Sequence, residues 1–391
     1  MEKIYLDNAA TTQLSSEVLA EMMPYFTANL GNPNSIHSFG RTAKAGIDKA
    51  RERVASALGC KPAEVYFTSG STESNNWFIR EFAHRNMNKG KHIITTQIEH
   101  PSVMEPCKKL ETEGFRVTYL DVDKFGLVKI EQLLDCISAD TILIAVMAAN
   151  NEIGTIQNIQ AISNIAKEHG ITFFTDATQA VGAININMSE MGIDALSFSA
   201  HKINGPKGVG ALCLRSGVKI GSFMLGGEQE SGMRAGTSNV AGIVGLGKAV
   251  ELVCRDIAVN SKKLREMRDY FIRNVMDKVD VVKLNGHSKQ RLPNNINFSF
   301  GMVDGESLTC LLDTCGIAVS TGSACSSGLT KPSYVLKAIG LSNDMVKGAV
   351  RFSLSVGTTK AELDYVISKL VECVSKLRKI SPKNKKEVGV I

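Results

Sequence analysis

Nowhere in its 391 residues does the chain carry an apolar run near the ~18 residues that a membrane-spanning helix needs. Nor does its start, "MEKIYLDNAATT", show basic residues leading into an apolar stretch, so the expected compartment is the cytoplasm and no membrane is expected as a partner. Cys-x-x-Cys pairs are also missing. The nine cysteines are odd in number and scattered, which argues against a zinc knuckle and a disulfide framework and fits a reducing compartment. The body of the chain has little excess charge: six cations between Lys376 and Lys386, against Glu387, supply five of the net +6. A nucleic-acid reader would carry its basic face within the fold, so no direct nucleic-acid partner is expected. There is no internal repeat.

What is present is an ordinary globular composition, 43% hydrophobic and 21% charged, in a chain long enough for two domains and a large core. From Glu64 onward short β-branched runs alternate with amphipathic stretches: "EVYFT" then 72–88, "HIITT" then 102–113, "FRVTYL" then 129–136, "TILIAVM" then 158–169, and "ITFFTDA" then "ALSFSA". Such alternation predicts an α/β fold with a mostly parallel central sheet, helices on both faces and strands apolar almost throughout. A single long helical pattern over 240–278 leads out of this region. Beyond it "NNINFSF", helices near 306–315 and 333–339, "AVRFSLS" and a helix over 360–378 suggest a smaller α+β unit. The expected division is a large domain over 15–260, a small domain formed by 1–14 and 261–380, and a disordered lysine-rich tail over 381–391.

In such a sheet ligands sit beyond the carboxyl ends of the strands, and five polar clusters fall there: "TSGSTESNN", "IEHPSV", "NNEIG", "DATQAVG" and "SFSAHKINGPKGVGALCL". Gly70, Ser71 and Thr72, leading into a helix, offer N–H groups, hydroxyls and a positive dipole end to a phosphate, or else a plain helix cap. An adenylate-forming loop would go on to Gly-x-Pro-Lys, whereas this one continues Glu73-Ser74-Asn75. Asp176, directly after an apolar run, needs a cationic or donor partner, and no metal-ligand spacing nearby supplies one. Lys202, partly desolvated beside other cations, could lose its charge and form a Schiff base. Phosphate loop, acid and amine together are the three anchors of pyridoxal phosphate. His100 precedes Pro101 and could simply start a helix, and Arg351 could pair with a structural carboxylate. His37, His84, His92, His169 and His287 are expected at the surface or in caps. Eight cysteines lie in or beside apolar segments as packing, while Cys325 stands alone in a glycine-serine loop.

The segments "YLDNAATT", "GNPNSIH", "FTSGSTESNN", "EH" at 99–100, "NNEIGTIQ", "DATQAVG", "SFSAHKINGPKGVGAL", "MRAGT" and "STGSACSSG" together resemble the NifS/IscS-type cysteine desulfurases, over residues 3 to 380 or so. The resemblance implies an aspartate-aminotransferase-like fold (pyridoxal-phosphate fold type I), a homodimer, and transfer of sulfur from L-cysteine with release of L-alanine. It implies that Lys202 binds the cofactor and then acts as base, that Asp176 faces the pyridine nitrogen, and that His100 lies over the ring and handles protons. Gln179 would meet the ring hydroxyl and Asn151 the cofactor or substrate. Ser71, Thr72, Ser199 and His201 would hold the phosphate, with Thr237 arriving from the partner subunit. Arg351 and Asn32 would bind the substrate, the arginine by its carboxylate. Cys325 would take the sulfur as a persulfide, and it is also a candidate ligand for a transient iron–sulfur cluster. The implied acceptor is an iron–sulfur scaffold or a tRNA-thiolation protein.

Two departures stand out: Glu228 occupies the third position of a usual glycine triplet, and the sequence stops at Ile391 without the extension that helps dock the scaffold. Docking is therefore expected to differ, or the acceptor to be another protein. A selenocysteine lyase or aminotransferase on the same fold remains an alternative, as does a non-enzymatic sulfur carrier.

Overall fold

In the computed structural model, residues 3–321 and 332–380 are described; Cys325 and the 381–391 tail lie outside them. The strands are β1 (Ile4–Tyr5), β2 (Val65–Thr68), β3 (His92–Thr96), β4 (Arg116–Leu120), β5 (Thr141–Ala145), β6 (Thr172–Asp176), β7 (Ala195–Ser199), β8 (Gly210–Leu214), β9 (Val282–Leu284), β10 (Asn295–Phe300), β11 (Ile317–Ala318) and β12 (Ala349–Ser353). Seven form the main sheet, in the order β2-β8-β7-β6-β5-β3-β4. Only β8 runs against the others: it is antiparallel to both β2 and β7, and the remaining contacts are parallel. Strands β3, β5, β7 and β8 are buried along their whole length, as two covered faces require.

One face is covered by a core that includes Ile47, Val54, Leu246 and Val250, and the other by one that includes Trp77, Phe78, Val103 and Leu110. A third core gathers Phe271, Phe298, Phe352, Leu363 and Leu370 around β10 and β12. These strands belong to a three-stranded antiparallel sheet in the order β12-β10-β9. The N-terminus joins this part of the molecule, because β1 pairs in parallel with β11 and Ile4 and Leu6 lie in the same core.

The pattern over 240–278 resolves into two helices, Val240–Arg255 and Ile257–Lys278, broken at Asp256, which caps both. Strand β8 and the helices Ser16–Met22 and Ser38–Leu58 are additions to the elements read from periodicity. His92 corrects an expectation: it is fully buried at the start of β3, where its ring meets the hydroxyls of Thr141 (2.7 Å) and Thr118 (2.9 Å). Burial and the nearby Arg116 push its pKa down to about 4.

Candidate active site

With β8 the only reversed strand, the carboxyl ends of β2, β3, β5, β6 and β7 open on one edge of the sheet. A cavity of about 500 Å³ lies there. Its walls include Ser71, Thr72, His100, Asn151, Asp176, Gln179, Ser199, His201, Lys202 and Arg351, so ten of the thirteen residues singled out from sequence meet in one place. Asn32 and Thr237 are exposed and do not line this cavity, and the Asn32 side-chain oxygen accepts from Asn34 N (3.0 Å).

The end of the cavity at Gly70 is built on backbone. Gly70 adopts φ +155°, a region nearly closed to side chains, and the helix Ser71–Asn86 starts directly after it. Ser71 N donates to Ser199 Oγ (2.7 Å), and the two hydroxyls are 3.0 Å apart. A side chain at Gly210, the first residue of β8, would put its Cβ 2.6 Å from Gly70 Cα, so this close approach requires glycine. His201 contacts the Thr11 hydroxyl (3.2 Å), and burial together with Lys202 and Lys207 pushes its pKa down to about 4.

Asp176, at the end of β6, is 5% exposed. One carboxylate oxygen accepts from Thr178 N (2.9 Å) and the other from Asn75 Nδ2 (2.8 Å). Asn75 is itself fully buried, donates to Ser102 Oγ and accepts from Ser197 Oγ. The motif that contains Asn75 does not by itself mark this role; the signal for it is a polar residue one helical turn after Ser71, on the helix face turned to the sheet. The Thr178 hydroxyl, buried on the cavity wall, has no hydrogen-bond partner among the described residues.

His100 does start a helix, and it also faces the cavity. It caps the helix Pro101–Thr112, its Nδ1 accepting from Ser102 N (3.2 Å), and it lines the cavity. An accepting Nδ1 places the proton of the neutral ring on Nε2. Burial holds its pKa below the usual histidine value, with Lys202 pushing the same way and Asp176 opposing. Lys202 ends a single 3₁₀ turn after β7 and its Nζ donates to the carbonyls of Ala9 and Ala10, both at 2.6 Å. Gln179 also donates to Ala9 O (3.0 Å). Arg351 in β12 does pair with a carboxylate: Nη2 donates to Asp7 Oδ1 (2.9 Å), while Nη1 donates to Asn151 O (3.1 Å).

The departure at Glu228 carries no backbone strain (φ −82°); Glu230 (φ 47°) and Ser231 (φ 58°) take the left-handed conformation instead. Glu230 is fixed there by Arg51 (2.9 and 3.0 Å) and by Phe67 N (3.0 Å).

The donor set suits pyridoxal phosphate. Hydroxyls and a helix N-terminus lie at one end, a carboxylate ends a strand, a lysine amine lines the same space, and the Thr178 hydroxyl, without a partner among the described residues, faces it. No His/Cys/Asp/Glu cluster able to hold a metal occurs among the described residues.

Comparison with known proteins agrees with this geometry. The aminotransferase class-V family model matches residues 4–366. The cysteine desulfurase IscS of Dictyoglomus turgidum is 52% identical over 380 residues, 97% of this chain and 96% of that one. A solved NifS-like protein is 38% identical with a TM-score of 0.91, over 96% of this chain and 100% of its own. SspA, solved in complex with cysteine, is 35% identical with a TM-score of 0.80, over 91% and 100%. The aspartate-aminotransferase-like fold expected from the motifs is thus the fold found, and the selenocysteine-lyase, aminotransferase and non-enzymatic alternatives are not favoured. The chain belongs to the aminotransferase class-V family, among its cysteine desulfurases of the NifS/IscS type.

Proposed function

We propose that the chain is a pyridoxal-phosphate-dependent cysteine desulfurase, with the cavity at the sheet edge as its active site. The observation that carries this reading is the meeting of Lys202, Asp176 and the Gly70–Thr72 helix start around one space. Ser71, Thr72, Ser199 and His201 would hold the phosphate, Asp176 would keep a proton on the pyridine nitrogen, Gln179 would meet the ring hydroxyl, and Lys202 would supply the covalent link. When bound, the cofactor draws off the electrons released at the substrate's Cα. Lys202 would then take the Cα proton at Nζ, the atom that the carbonyls of Ala9 and Ala10 hold beside the cavity. His100 moves a proton at Nε2, its Nδ1 being tied to Ser102.

Arg351 clamps the carboxylate of L-cysteine. Cys325 lies outside the described residues; on either side of its segment, Ser320 exchanges backbone hydrogen bonds with the cavity residue Arg351, while Ser333 donates to Glu152 and Tyr334 to the carbonyl of Glu99 (2.6 Å), which are next in sequence to the cavity residues Asn151 and His100. Its thiolate would attack the substrate sulfur, forming the S–S bond of a persulfide as the C–S bond breaks; the electron pair of that bond stays with the substrate's Cβ, and proton uptake at Cβ and return of the proton to Cα give L-alanine. The acceptor is an iron–sulfur scaffold or a tRNA-thiolation protein in the cytoplasm.

A homodimer fits the exposed apolar residues Phe26 (62%), Leu30 (74%), Ile36 (92%) and Leu225 (89%), which flank the two site residues missing from the cavity, Asn32 and Thr237. Borohydride reduction of the holoprotein followed by peptide mapping should find the cofactor on Lys202. With a reductant present, Cys325→Ala should abolish sulfide release from L-cysteine. An adduct on another lysine, or undiminished sulfide release, refutes the assignment.

A further inference from the structure

Arg351 is almost fully buried and, among the described residues, Asp7 is the only carboxylate within ion-pair distance of it. Of the five N–H groups on its guanidinium, one on Nη1 goes to the carbonyl of Asn151 and one on Nη2 to Asp7, and Nε has no partner among the described residues. Asp7 comes from a strap tied to β12 by backbone. Ser353 N donates to Leu6 O (2.7 Å), Asn8 Nδ2 donates to Ser353 O (2.8 Å), and Ala9 N donates to Ser353 Oγ (2.8 Å). This sets Asp7 beside Ser353, two residues along the strand from Arg351 and hence on its face. The Tyr5 hydroxyl closes the strap by donating to the carbonyls of Asp7 (3.1 Å) and Thr11 (3.0 Å).

We propose that Asp7 is a positioning residue for substrate recognition: it fixes the plane of the Arg351 guanidinium so that the arginine can take the amino acid's carboxylate. This rests on the reading of the cavity as an amino-acid site. A guanidinium recognises a carboxylate through two parallel hydrogen bonds, so affinity depends on how its fork is turned. Asp7 touches one nitrogen through one oxygen, which leaves the other donors unspent. Without it a buried cation loses its counter-charge and one of its two tethers.

The test uses holoprotein and two probes that differ only in the carboxylate, L-alanine and L-alaninamide, titrated against the cofactor's absorbance. Asp7→Ala should weaken L-alanine about tenfold or more and L-alaninamide by less than about twofold, the loss being confined to the charge-assisted contact. Asp7→Asn, which keeps an oxygen for Nη2, should fall between wild type and Asp7→Ala, and it serves as the folded variant if alanine is not tolerated. In turnover the rise in KM for L-cysteine should exceed the fall in kcat. Equal weakening of both probes would make Asp7 a purely structural residue, and tighter L-alanine binding would make it a competitor for Arg351; either overturns the proposal. A wild-type holoprotein whose spectrum answers neither probe would overturn the reading of the cavity, and the role of Asp7 with it.

Discussion

A buried carboxylate survives in a fold only when its lone pairs are met, and Asp176 meets them with one backbone amide and one asparagine. Replacing Asn75 by alanine removes that donor from a closed space and should cost about 1–3 kcal/mol, read as earlier melting of the apoprotein, together with looser retention of the cofactor. Glu99 shows the opposite balance. Burial pushes its pKa up from 4.5 to about 8, although Met147 N and the Thr96 hydroxyl both donate to it. The folded state therefore holds a proton that the unfolded chain gives up, so its contribution to stability is whole below pH 4.5 and is lost as pH rises to about 8. Glu99→Gln should flatten that slope in denaturant melts at pH 5 and pH 8. Lys202, Asp176 and the Gly70–Thr72 turn were legible because each chemistry needs a residue type at a strand end. Asn75, Asp7 and Glu99 were not, because the groups that set their parts, Asp176 and Ser197 for Asn75, Arg351 for Asp7 and the Met147 N–H for Glu99, lie more than forty residues away in sequence.

Among the elements, the parallel strands were legible to within a residue or two, since each is a short β-branched run between polar turns. Strand β8 was hidden by Gly205, Gly208 and Gly210, which read as loop although the apolar "ALCL" follows them. The break at Asp256 escaped because a single capping residue barely disturbs the period on either side. The segment Gln229–Gly232 is held at two strained residues by the Arg51–Glu230 pair, whose side chains are mostly buried. Glu230→Ala would leave Arg51 without its counter-charge and Phe67 N, within the edge strand β2, without its acceptor, and it should lower stability by about 3 kcal/mol. Chemical denaturation checks this, with Lys44→Ala, from a solvent-exposed pair, as the near-neutral control.

For the whole molecule, the exposed apolar residues between Phe26 and Phe39 are more than a lone monomer comfortably shows to water. Light scattering should give about twice the chain's 42.2 kDa. Ile36→Asp should shift the protein toward a monomer that folds with unchanged circular dichroism but desulfurates poorly, since in the proposed dimer Thr237 would complete the neighbour's phosphate site. A monomer with full activity would separate association from chemistry.

The contact between Gly210 and Gly70 turns the pocket into a ruler. An ordinary carbon–carbon contact needs about 3.5–4.0 Å, so one methyl group at position 210, at 2.6 Å from Gly70 Cα, would drive the turn proposed to hold the phosphate back by roughly an ångström and alter its distance from Lys202. The spacing between those two grips is thus gauged by bare backbone, and a vitamin lacking its phosphate, or one carbon too long, would be seized at one end only.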